Sequence, residues 1–231
     1  MSDFNLEREN FNNNSIMIGV DEVGRGSWAG PIVAASSWIN FQNYKLLPKD
    51  INDSKKISSK TRKKIILSLN NSVKYSSAIS TPEEIDRYGL TVANTIAMKR
   101  SLYCLFQSFN ENTIKKKLNF KVYVDGNYMP DFSSIDITLK KNKIIKLDTH
   151  DLYSLVKGDE KSKTIALASI IAKETRDSIM RNYSLKYSQY KFDKHFGYGT
   201  AKHREAILEF GITPIHRKSF KPISTIYSAL Q

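Results

Sequence analysis

Residues 16–26 read IMIGVDEVGRG, an apolar run that ends in two carboxylates and a Gly-Arg-Gly turn. The run at 16–20 predicts a buried strand, since a short apolar segment bounded by glycine is typical of one. Asp21 and Glu22 stand at the end of that strand, and carboxylates bind hard cations such as Mg²⁺. The turn at 24–26 suits a sugar–phosphate backbone, because arginine pairs with phosphate and glycine allows close approach. The stretch therefore predicts metal-dependent phosphodiester chemistry.

The charge balance of the chain favours an anionic partner. Its 231 residues carry 36 Lys and Arg against 23 Asp and Glu, a formal net charge of +13. Such a basic protein usually binds nucleic acid or an acidic membrane surface. A generally lysine-rich composition is the alternative explanation, so the charge alone assigns no function. The length fits one domain, or one domain with a small appendage.

Cysteine usage and the N-terminus indicate a soluble, cytoplasmic protein. Cys104 is the only cysteine, which excludes an internal disulfide and fits a reducing compartment. Its neighbours Leu102, Leu105 and Phe106 predict that it lies on the buried face of a helix. Residues 1–15 are polar and lack the apolar core of a signal peptide, so we expect a flexible segment there. No window approaches the roughly 18 apolar residues of a membrane span.

The order of apolar segments predicts an α/β protein with a mixed central sheet flanked by helices. After the flexible segment we expect a catalytic domain over 16–185, and a helical C-terminal region over 186–231 that packs on it. Ser58 or Ser59 and Thr81 have the residue types of helix caps. Predicted strands lie at 16–21, 31–39, 75–80 and 120–125, and predicted helices at 58–70, 91–109, 164–187 and 201–209, with a short helix near the C-terminus.

Acidic residues recur at the ends of these predicted elements. Asp21 and Asp125 each end an apolar strand pattern. If the two strands are parallel neighbours, both aspartates lie at the sheet edge where α/β proteins place ligands. Glu22 faces the other way unless the chain bends there, because side chains alternate along a strand. Asp159 precedes the helix predicted at 164–187, where stabilisation of the helix N-terminus is the alternative role.

A cluster of these four carboxylates would require cations. Like charges close together raise one another's pKa, and Mg²⁺ or Mn²⁺ removes that cost. Two such ions would activate a water and stabilise the leaving oxygen of a phosphoryl displacement. Turn formation is the alternative role of Asp125, which Gly126 and Asn127 follow. The four histidines are dispersed along the sequence, which argues against a zinc site.

Six sequence blocks resemble, in order, the ribonuclease HII family, the type 2 ribonucleases H. Together they extend over most of the chain, from about residue 16 to residue 222. One block alone would be weak evidence, whereas six in the right order are specific. The blocks are GVDEVGRG at 19–26 with AGP at 29–31, DSKK at 53–56 with Ser59, VDGN at 124–127, KGD at 157–159 with ASIIAK at 168–173 and RD at 176–177, HFGY at 195–198 with Thr200 and His203, and PIHR at 214–217 with SF at 219–220.

The resemblance implies an RNase H-like fold and an endonuclease that hydrolyses the RNA strand of RNA/DNA hybrids. It also implies incision on the 5′ side of ribonucleotides embedded in duplex DNA, with a 3′-hydroxyl and a 5′-phosphate as products. Mg²⁺ or Mn²⁺ is the implied cofactor, with two ions in the active complex. The implied catalytic and metal-binding residues are Asp21, Glu22, Asp125 and Asp159.

The resemblance assigns substrate recognition to the glycine-rich turn and to one aromatic ring. Gly24, Arg25 and Gly26 match the loop that senses the 2′-hydroxyl, a group that separates RNA from DNA at a single nucleotide. Tyr198 matches the ring that stacks on the sugar at the DNA–RNA junction, and covering the sheet is its alternative role. Phosphate contacts, with a solvated helix N-terminus as the alternative, are expected for Ser54, Lys55 and Lys56.

Two features depart from the family pattern. Glu160 adds a second acid beside Asp159, and the interval of 34 residues between Asp125 and Asp159 is long. Residues 128–150 are expected to form an extended hairpin or loop. The lysines of that segment would add phosphate contacts or keep it soluble: Lys140, Lys141, Lys143 and Lys146.

Two other functions fit parts of the pattern. A binding module that kept the fold but lost catalysis would suit the basic charge, although such a binder gains only repulsion from acids that face phosphates. A transposase or resolvase would share the carboxylates but not the Gly-Arg-Gly block. Nucleic acid is the expected partner and a monomer the expected state, while the sequence leaves a sliding clamp open. Lys173 and Arg176 are expected to face the groove or water, and His216 and Arg217 to hold the C-terminal segment against the core.

Overall fold

The computed structural model describes residues 3–52, 54–109, 119–132, 136–139, 143–146 and 151–229. Seven strands are found in these ranges, and five of them form one sheet in the order β3-β2-β1-β4-β7. The strands are β1 (Ser15–Val23), β2 (Ile32–Ile39), β3 (Val73–Ser80), β4 (Asn119–Asp125), β5 (Asp136–Leu139), β6 (Lys143–Lys146) and β7 (Leu152–Leu155).

The sheet is mixed, as the sequence predicts. β1, β2 and β3 form an antiparallel meander, whereas β4 pairs in parallel with β1 on one side and with β7 on the other. All four predicted strands are present. β7 has no counterpart in the predictions, because its four residues lie in a stretch whose pattern is ambiguous.

Helices cover both faces of the sheet and form the C-terminal part. Ser58 accepts the backbone N–H of Thr61, and Thr81 forms a capping box with Glu84, so both predicted caps are confirmed. None of the described helices is long and apolar enough to cross a membrane. The helices are α1 (Asn5–Asn12), α2 (Ser59–Ser68), α3 (Pro82–Tyr88), α4 (Leu90–Gln107), α5 (Gly158–Lys161), α6 (Lys163–Lys186), α7 (Phe192–His195), α8 (Ala201–Phe210) and α9 (Ile223–Ala229).

The two faces of β1 pack against different helices. Ile16, Ile18 and Val20 belong to a buried apolar cluster that includes the inner face of α4. The opposite face lies against α6, and a Cβ added at Gly19 would stand 2.7 Å from the backbone nitrogen of Ile165. Only glycine allows this approach of helix and strand. The side of the sheet that carries Asp21 is therefore the side that faces α6.

Three expectations differ from the structure or extend beyond its described part. Residues 1–15 were expected to be flexible, but α1 forms there and its Glu7 is buried. Cys104 is exposed rather than buried, because it lies outside the inner face of α4, to which its neighbours Leu102, Leu105 and Phe106 belong as predicted. β5 and β6 form an antiparallel hairpin within the segment 128–150, as predicted, whereas Lys140 and Lys141 lie outside the described residues.

The boundary predicted between a catalytic domain and a C-terminal region at residue 185 stays a prediction. The C-terminal helices share a buried cluster with the middle of the chain, in which Met180 of α6 and Ala29 meet Ile207 of α8. Ile215 and Ile223 complete this contact. The cluster lies next to the glycine-rich turn and therefore bears on the site.

Candidate active site

Asp21 and Asp125 end two neighbouring parallel strands. Val20 of β1 is in register with Val124 of β4, so the residues that follow both lie at the same edge of the sheet. This confirms the parallel arrangement that would bring the two aspartates together. Asp21 is buried, with 7% of its surface exposed. Its Oδ1 accepts the backbone N–H of Glu22 at 2.7 Å.

Three carboxylates act on one another at this edge. Burial raises the pKa of Asp21 well above its ordinary value, and the charges of Glu22 and Asp125 raise it further. Burial also raises the pKa of Glu22, to which Asp125 adds while the neighbouring Arg25 opposes the shift. β1 continues to Val23 without a bend at Glu22. The Glu22 carboxylate nevertheless lies close enough to raise the pKa of Asp21, and the charge of Asp125 raises the pKa of Glu22.

Asp159 joins this group through the backbone of its neighbour. The N–H of Gly158 donates to Asp125 Oδ1 at 2.6 Å, and Asp159 follows in α5, where it is buried. Asp159 is not the cap of α6, because the Ser162 side chain accepts the N–H of Ile165 in that role. Stabilisation of a helix N-terminus by the charge of Asp159 stays an alternative prediction, since Asp159 lies in the first turn of α5.

The donor set suits a hard divalent cation, although no ready cage is formed. Within the described ranges, no three His, Cys, Asp or Glu side chains are arranged as a metal site. Instead, the carboxylates are held by protein groups: Asp125 by Gly158, and Glu22 by an ion pair of 3.3 Å with Arg25. Acidic oxygens that raise one another's pKa bind cations such as Mg²⁺ or Mn²⁺ favourably, because the cation relieves the repulsion.

Hydroxyl groups support Asp21 from behind. Ser169 of α6 hydrogen-bonds to the Asp21 carboxylate, and the hydroxyls of Ser54 and Ser169 lie 2.8 Å apart. Ser54 and Ser169 thus form a pair of hydroxyl groups on the Asp21 side of α6. Ser54 is buried, so its side chain reaches the site through Ser169 rather than facing solvent as a phosphate contact requires.

Lys55 and Lys56 lie on the surface beside the acids. Both side chains are exposed, and Lys56 Nζ stands 3.1 Å from a carboxylate oxygen of Glu160. Arg62 of α2 donates to the carbonyl oxygens of Ser54 and Ile57, which fixes the backbone that carries the two lysines. Glu160, the extra acid of the sequence, thus faces lysine.

The glycine-rich turn is held from inside by two buried arginines. Arg217 donates to the carbonyl oxygens of Gly24 at 2.6 Å, of Arg25 at 2.8 Å and of Gly30 at 2.9 Å. Arg176 donates to the main-chain oxygens of Ala29 and Pro31, which follow the same turn, and does not face the groove or water as expected. Burial lowers the pKa of Arg217 to about 9, so the guanidinium still carries its charge at neutral pH.

The turn requires glycine at position 24 but has space for a larger side chain at position 26. A Cβ at Gly24, where φ is +93°, would lie 2.2 Å from Nε of Arg176. Gly26 is exposed, and a Cβ there would meet nothing within 4 Å. In the described part of the chain, the N–H groups of Arg25 and Gly26 donate to no protein acceptor. Main-chain donors thus remain available at the tip of the turn.

Tyr198 lies next to the same arginines. Its half-buried ring stands over the Arg176 guanidinium, 5.3 Å from Cζ to the ring centroid. Its backbone N–H donates to the carbonyl of His195. Its own carbonyl accepts Nδ1–H of His203 at 3.0 Å. The ring and the glycine-rich turn therefore share one support, Arg176.

Three histidines that are distant in sequence meet beneath Tyr198. His203 Nε2 and His216 Nε2 are 3.1 Å apart, and the rings of His195 and His203 stack. Thr213 donates to Nδ1 of His216, so the bridging proton belongs to His216. Burial lowers the pKa of His203 to about 3 and that of His216 to about 4. The cluster is structural, and it confirms that His216 and Arg217 hold the C-terminal segment.

Comparison with known families agrees with the sequence blocks. The family described as Ribonuclease HII matches residues 18–223. The "Ribonuclease HII" of Ehrlichia ruminantium strain Welgevonden is 38% identical over 98% of this chain and 97% of its own length. That of Pseudothermotoga lettingae is 41% identical over 90% of this chain and 78% of its own.

Solved structures share the fold. The ribonuclease H2 of Pyrococcus horikoshii OT3 superposes with a TM-score of 0.68 and 26% identity, over 93% of this chain and 98% of that one. The Archaeoglobus fulgidus RNase HII, solved in complex with PCNA, gives 0.61 at 22% identity, over 89% and 95% of the two chains. A Bst-RNase HIII in complex with Mn²⁺ gives 0.68 at 19% identity, over 94% and 71%. Because the last two proteins are only 22% and 19% identical to this chain, they show that the chain shares the RNase H-like fold and nothing further.

Proposed function

Because the chain belongs to the ribonuclease HII family and is a metal-dependent ribonuclease H, we propose that its carboxylates at the sheet edge carry out the hydrolysis. The observation that carries this proposal is that Asp21, Glu22 and Asp125 lie at one sheet edge, where the charges of Glu22 and Asp125 raise the pKa of Asp21 and the charge of Asp125 raises that of Glu22. A cation relieves such repulsion between acids at one edge of a sheet, and perturbed carboxylates of this kind cluster at functional sites. The proposed catalytic and metal-binding residues are Asp21, Glu22, Asp125 and Asp159.

Asp21, Glu22, Asp125 and Asp159 would hold Mg²⁺ or Mn²⁺, and two such ions would supply activation of a water and stabilisation of the leaving oxygen. The protein's own contribution is to orient the carboxylates by hydrogen bonds. Asp21 is oriented by Ser169 and by the N–H of Glu22, and Asp125 by the N–H of Gly158. These hydrogen bonds fix the orientation of both carboxylates, and the ionised carboxylate is the form that binds a cation.

The proposed substrates are RNA/DNA hybrids and duplex DNA with embedded ribonucleotides. Hydrolysis breaks the bond between phosphorus and the 3′-oxygen on the 5′ side of the ribonucleotide, so the products are a 3′-hydroxyl and a 5′-phosphate. Gly24, Arg25 and Gly26 are proposed to sense the 2′-hydroxyl. Arg217 occupies the carbonyls of Gly24 and Arg25, which leaves main-chain N–H groups for the substrate. The 2′-hydroxyl of a ribonucleotide accepts a hydrogen bond from such N–H groups, whereas deoxyribose has no acceptor at that position.

Tyr198 is proposed to stack on the sugar at the DNA–RNA junction, and Lys55 and Lys56 to contact phosphates. The exposure of both lysines supports this assignment. Ser54 is proposed to act on the acid site through Ser169, because its own hydroxyl is buried.

Cleavage of a duplex with a single ribonucleotide tests the proposal. The wild-type chain in Mg²⁺ or Mn²⁺ should cut on the 5′ side of the ribonucleotide, and EDTA should stop the reaction. Asp125→Asn should reduce cleavage at least about 1,000-fold while it keeps hybrid binding, since the amide still accepts the Gly158 N–H. Asp50→Asn, a change at an exposed acid, is the matched control. Full activity of Asp125→Asn would exclude this mechanism.

Recognition of the junction needs a second comparison. Tyr198→Ala should lower cleavage at the single ribonucleotide more than cleavage of a continuous hybrid, because only the junction offers the deoxyribose on which the ring stacks. Tyr103→Ala, at an exposed tyrosine of α4, should change neither rate. An unchanged ratio of the two rates in Tyr198→Ala would refute junction recognition.

We further propose that the enzyme acts as a cytoplasmic monomer and that a sliding clamp is its protein partner. The support for the clamp is the PCNA complex of the Archaeoglobus fulgidus RNase HII. Co-elution of the purified chain with the clamp of its own cell in size-exclusion chromatography tests this partner.

A further inference from the structure

The helix α1 lies outside the residues 18–223 that match the family, yet it contacts the segment that follows the proposed acid Asp159. Glu7 Oε1 accepts two hydrogen bonds from that segment, one from the hydroxyl of Ser162 at 2.6 Å and one from the N–H of Thr164 at 2.8 Å. The N–H of Lys163 donates to the carbonyl of Asp3 at 3.3 Å. The start of α6 is thus bound on three successive residues by the N-terminal segment.

Glu7 is an unusual side chain for a simple packing contact. Only 3% of its surface is exposed, and its Oε2 has no hydrogen-bond partner within the described part of the chain. Burial of a carboxylate with one oxygen unsatisfied destabilises the folded state, and an apolar residue of similar size would avoid that cost. The N-terminus of α6 offsets part of it, since helix N-termini favour negative charge. A task beyond packing would explain why a carboxylate is placed here.

A chain of hydrogen bonds leads from Glu7 to the acids. Ser162 gives its single hydroxyl proton to Glu7, and its oxygen is thereby oriented to accept the N–H of Ile165 at 3.2 Å. The N–H of Ser162 donates to the carbonyl of Gly158 at 2.8 Å. The N–H of Gly158 in turn donates to Asp125. The residues from Gly158 to Ser162, which these last two hydrogen bonds hold, include the α5 turn that carries Asp159.

A second contact joins α1 to the strand of the other acid. The side-chain amide of Asn10 lies 3.2 Å from the hydroxyl of Tyr123, and Asn10 is buried. Tyr123 precedes Asp125 by two residues on β4, so both side chains lie on the same face of the strand. α1 therefore contacts β4, which ends in Asp125, and Ser162, which directly follows the α5 turn that carries Asp159.

We propose that Glu7 is a positioning residue for the hydrolysis. Through Ser162 it fixes the turn of α5, and this holds Asp159 and the Gly158–Asp125 contact in the arrangement that metal binding needs. The inference rests on the proposed catalytic role of the carboxylates. It assigns the N-terminal helix to the active centre, where it supports acids that it does not touch directly.

Glu7→Ala and Ser162→Ala test the proposal from both ends of the contact, with Glu9→Ala, an exposed acid of the same helix, as the control. Each variant is assayed for kcat and KM on a single-ribonucleotide duplex. Mn²⁺ affinity is measured by calorimetry without nucleic acid. Loss of a residue that orients metal ligands typically reduces activity or metal affinity by about 10-fold to 100-fold. We expect this loss in kcat and in Mn²⁺ affinity for both variants, with KM within about twofold of the wild type.

The pattern across variants separates positioning from general stability. Glu7→Gln keeps an acceptor for Ser162 and Thr164 and should restore most of kcat. The double variant of Glu7→Ala and Ser162→Ala should lose no more than either single variant, because both changes break one path. Wild-type kcat and Mn²⁺ affinity in folded Glu7→Ala would overturn the proposal. Should Glu7→Ala not fold, the same values in Ser162→Ala would overturn it. Activity retained by Asp125→Asn would instead refute the proposed function itself.

Discussion

Arg176 carries an unusual share of the contacts around the glycine-rich turn, and Arg176→Lys should therefore lower the stability of the whole chain. Its guanidinium donates to Pro31 O at 3.0 Å, Ala29 O at 3.1 Å and Ser27 Oγ at 2.8 Å. A fourth bond of 2.9 Å goes to Phe196 O. These acceptors lie on two separate segments, so the planar fork of arginine spans a gap that the single ammonium of lysine cannot span.

The expected loss in free energy of unfolding follows from the number of hydrogen bonds that Arg176→Lys removes. We expect lysine to keep two of the four contacts, and each lost bond from a charged group contributes about 1.5 kcal/mol. The free energy of unfolding should then fall by about 3 kcal/mol. For a chain of this size each kcal/mol shifts the melting temperature by about 2–4 °C, so a decrease of about 6–12 °C is expected.

Thermal unfolding followed by circular dichroism measures this effect, with Arg204→Lys, at an exposed position of α8, as the control. Below the melting temperature, the Arg176→Lys variant should also discriminate less between a single ribonucleotide and a continuous hybrid, because Tyr198 and the turn lose their common support. A melting temperature within about 2 °C of both the wild type and the control would refute the reasoning.

Three further predictions concern charge, pH and the glycines. Without metal, Asp125→Asn should raise the melting temperature in EDTA, because it removes a repelling charge and still accepts the Gly158 N–H; a lower value would contradict this. The buried His203, with a pKa of about 3, stays neutral while the unfolded chain takes up a proton, so stability should fall as pH drops from about 6.5 towards 3. In urea titrations, His203→Asn should reduce that slope by up to about 1.4 kcal/mol per pH unit. Gly26→Ala should leave the melting temperature unchanged but slow cleavage at a single ribonucleotide, whereas Gly24→Ala should unfold the chain at lower temperature, since its Cβ would collide with Arg176.

Much of the acid site could be predicted from sequence because local patterns determine it. An apolar run that ends in an acid places that acid at a strand end, and the parallel pairing of β1 and β4 then brings Asp21 and Asp125 to one edge. The strand period also indicates which face each side chain occupies. The strand ends and faces are short-range properties, whereas the pairing of β1 with β4 is a distant contact that can be stated from the sequence only as a condition.

The supports of the site could not be predicted in the same way. Arginine is usually found on protein surfaces. Arg176 and Arg217 are nevertheless fully buried, because main-chain oxygens of distant segments surround them. Cys104 was placed inside because its neighbours are apolar, but it lies just outside the stripe that faces the sheet. α1 has a polar composition, and its burial of Glu7 depends on a partner more than a hundred residues away. Such contacts arise from tertiary structure and leave no periodic signal.

One stripe of residues along α6, beginning at its N-cap Ser162, connects three of the contacts that support the site. Ser162, Ser169 and Arg176 follow one another at intervals of seven residues, which places them on the same face of the helix. The first binds the turn before Asp159, the second binds Asp21, and the third binds the glycine-rich turn and lies under the Tyr198 ring. Because a helix is stiff along its axis, the distance between the acids and the proposed sensor of the 2′-hydroxyl is fixed by the pitch of α6. Under the proposed function, substrate choice and hydrolysis depend on this one rigid element, although the residues proposed for them come from several segments of the chain.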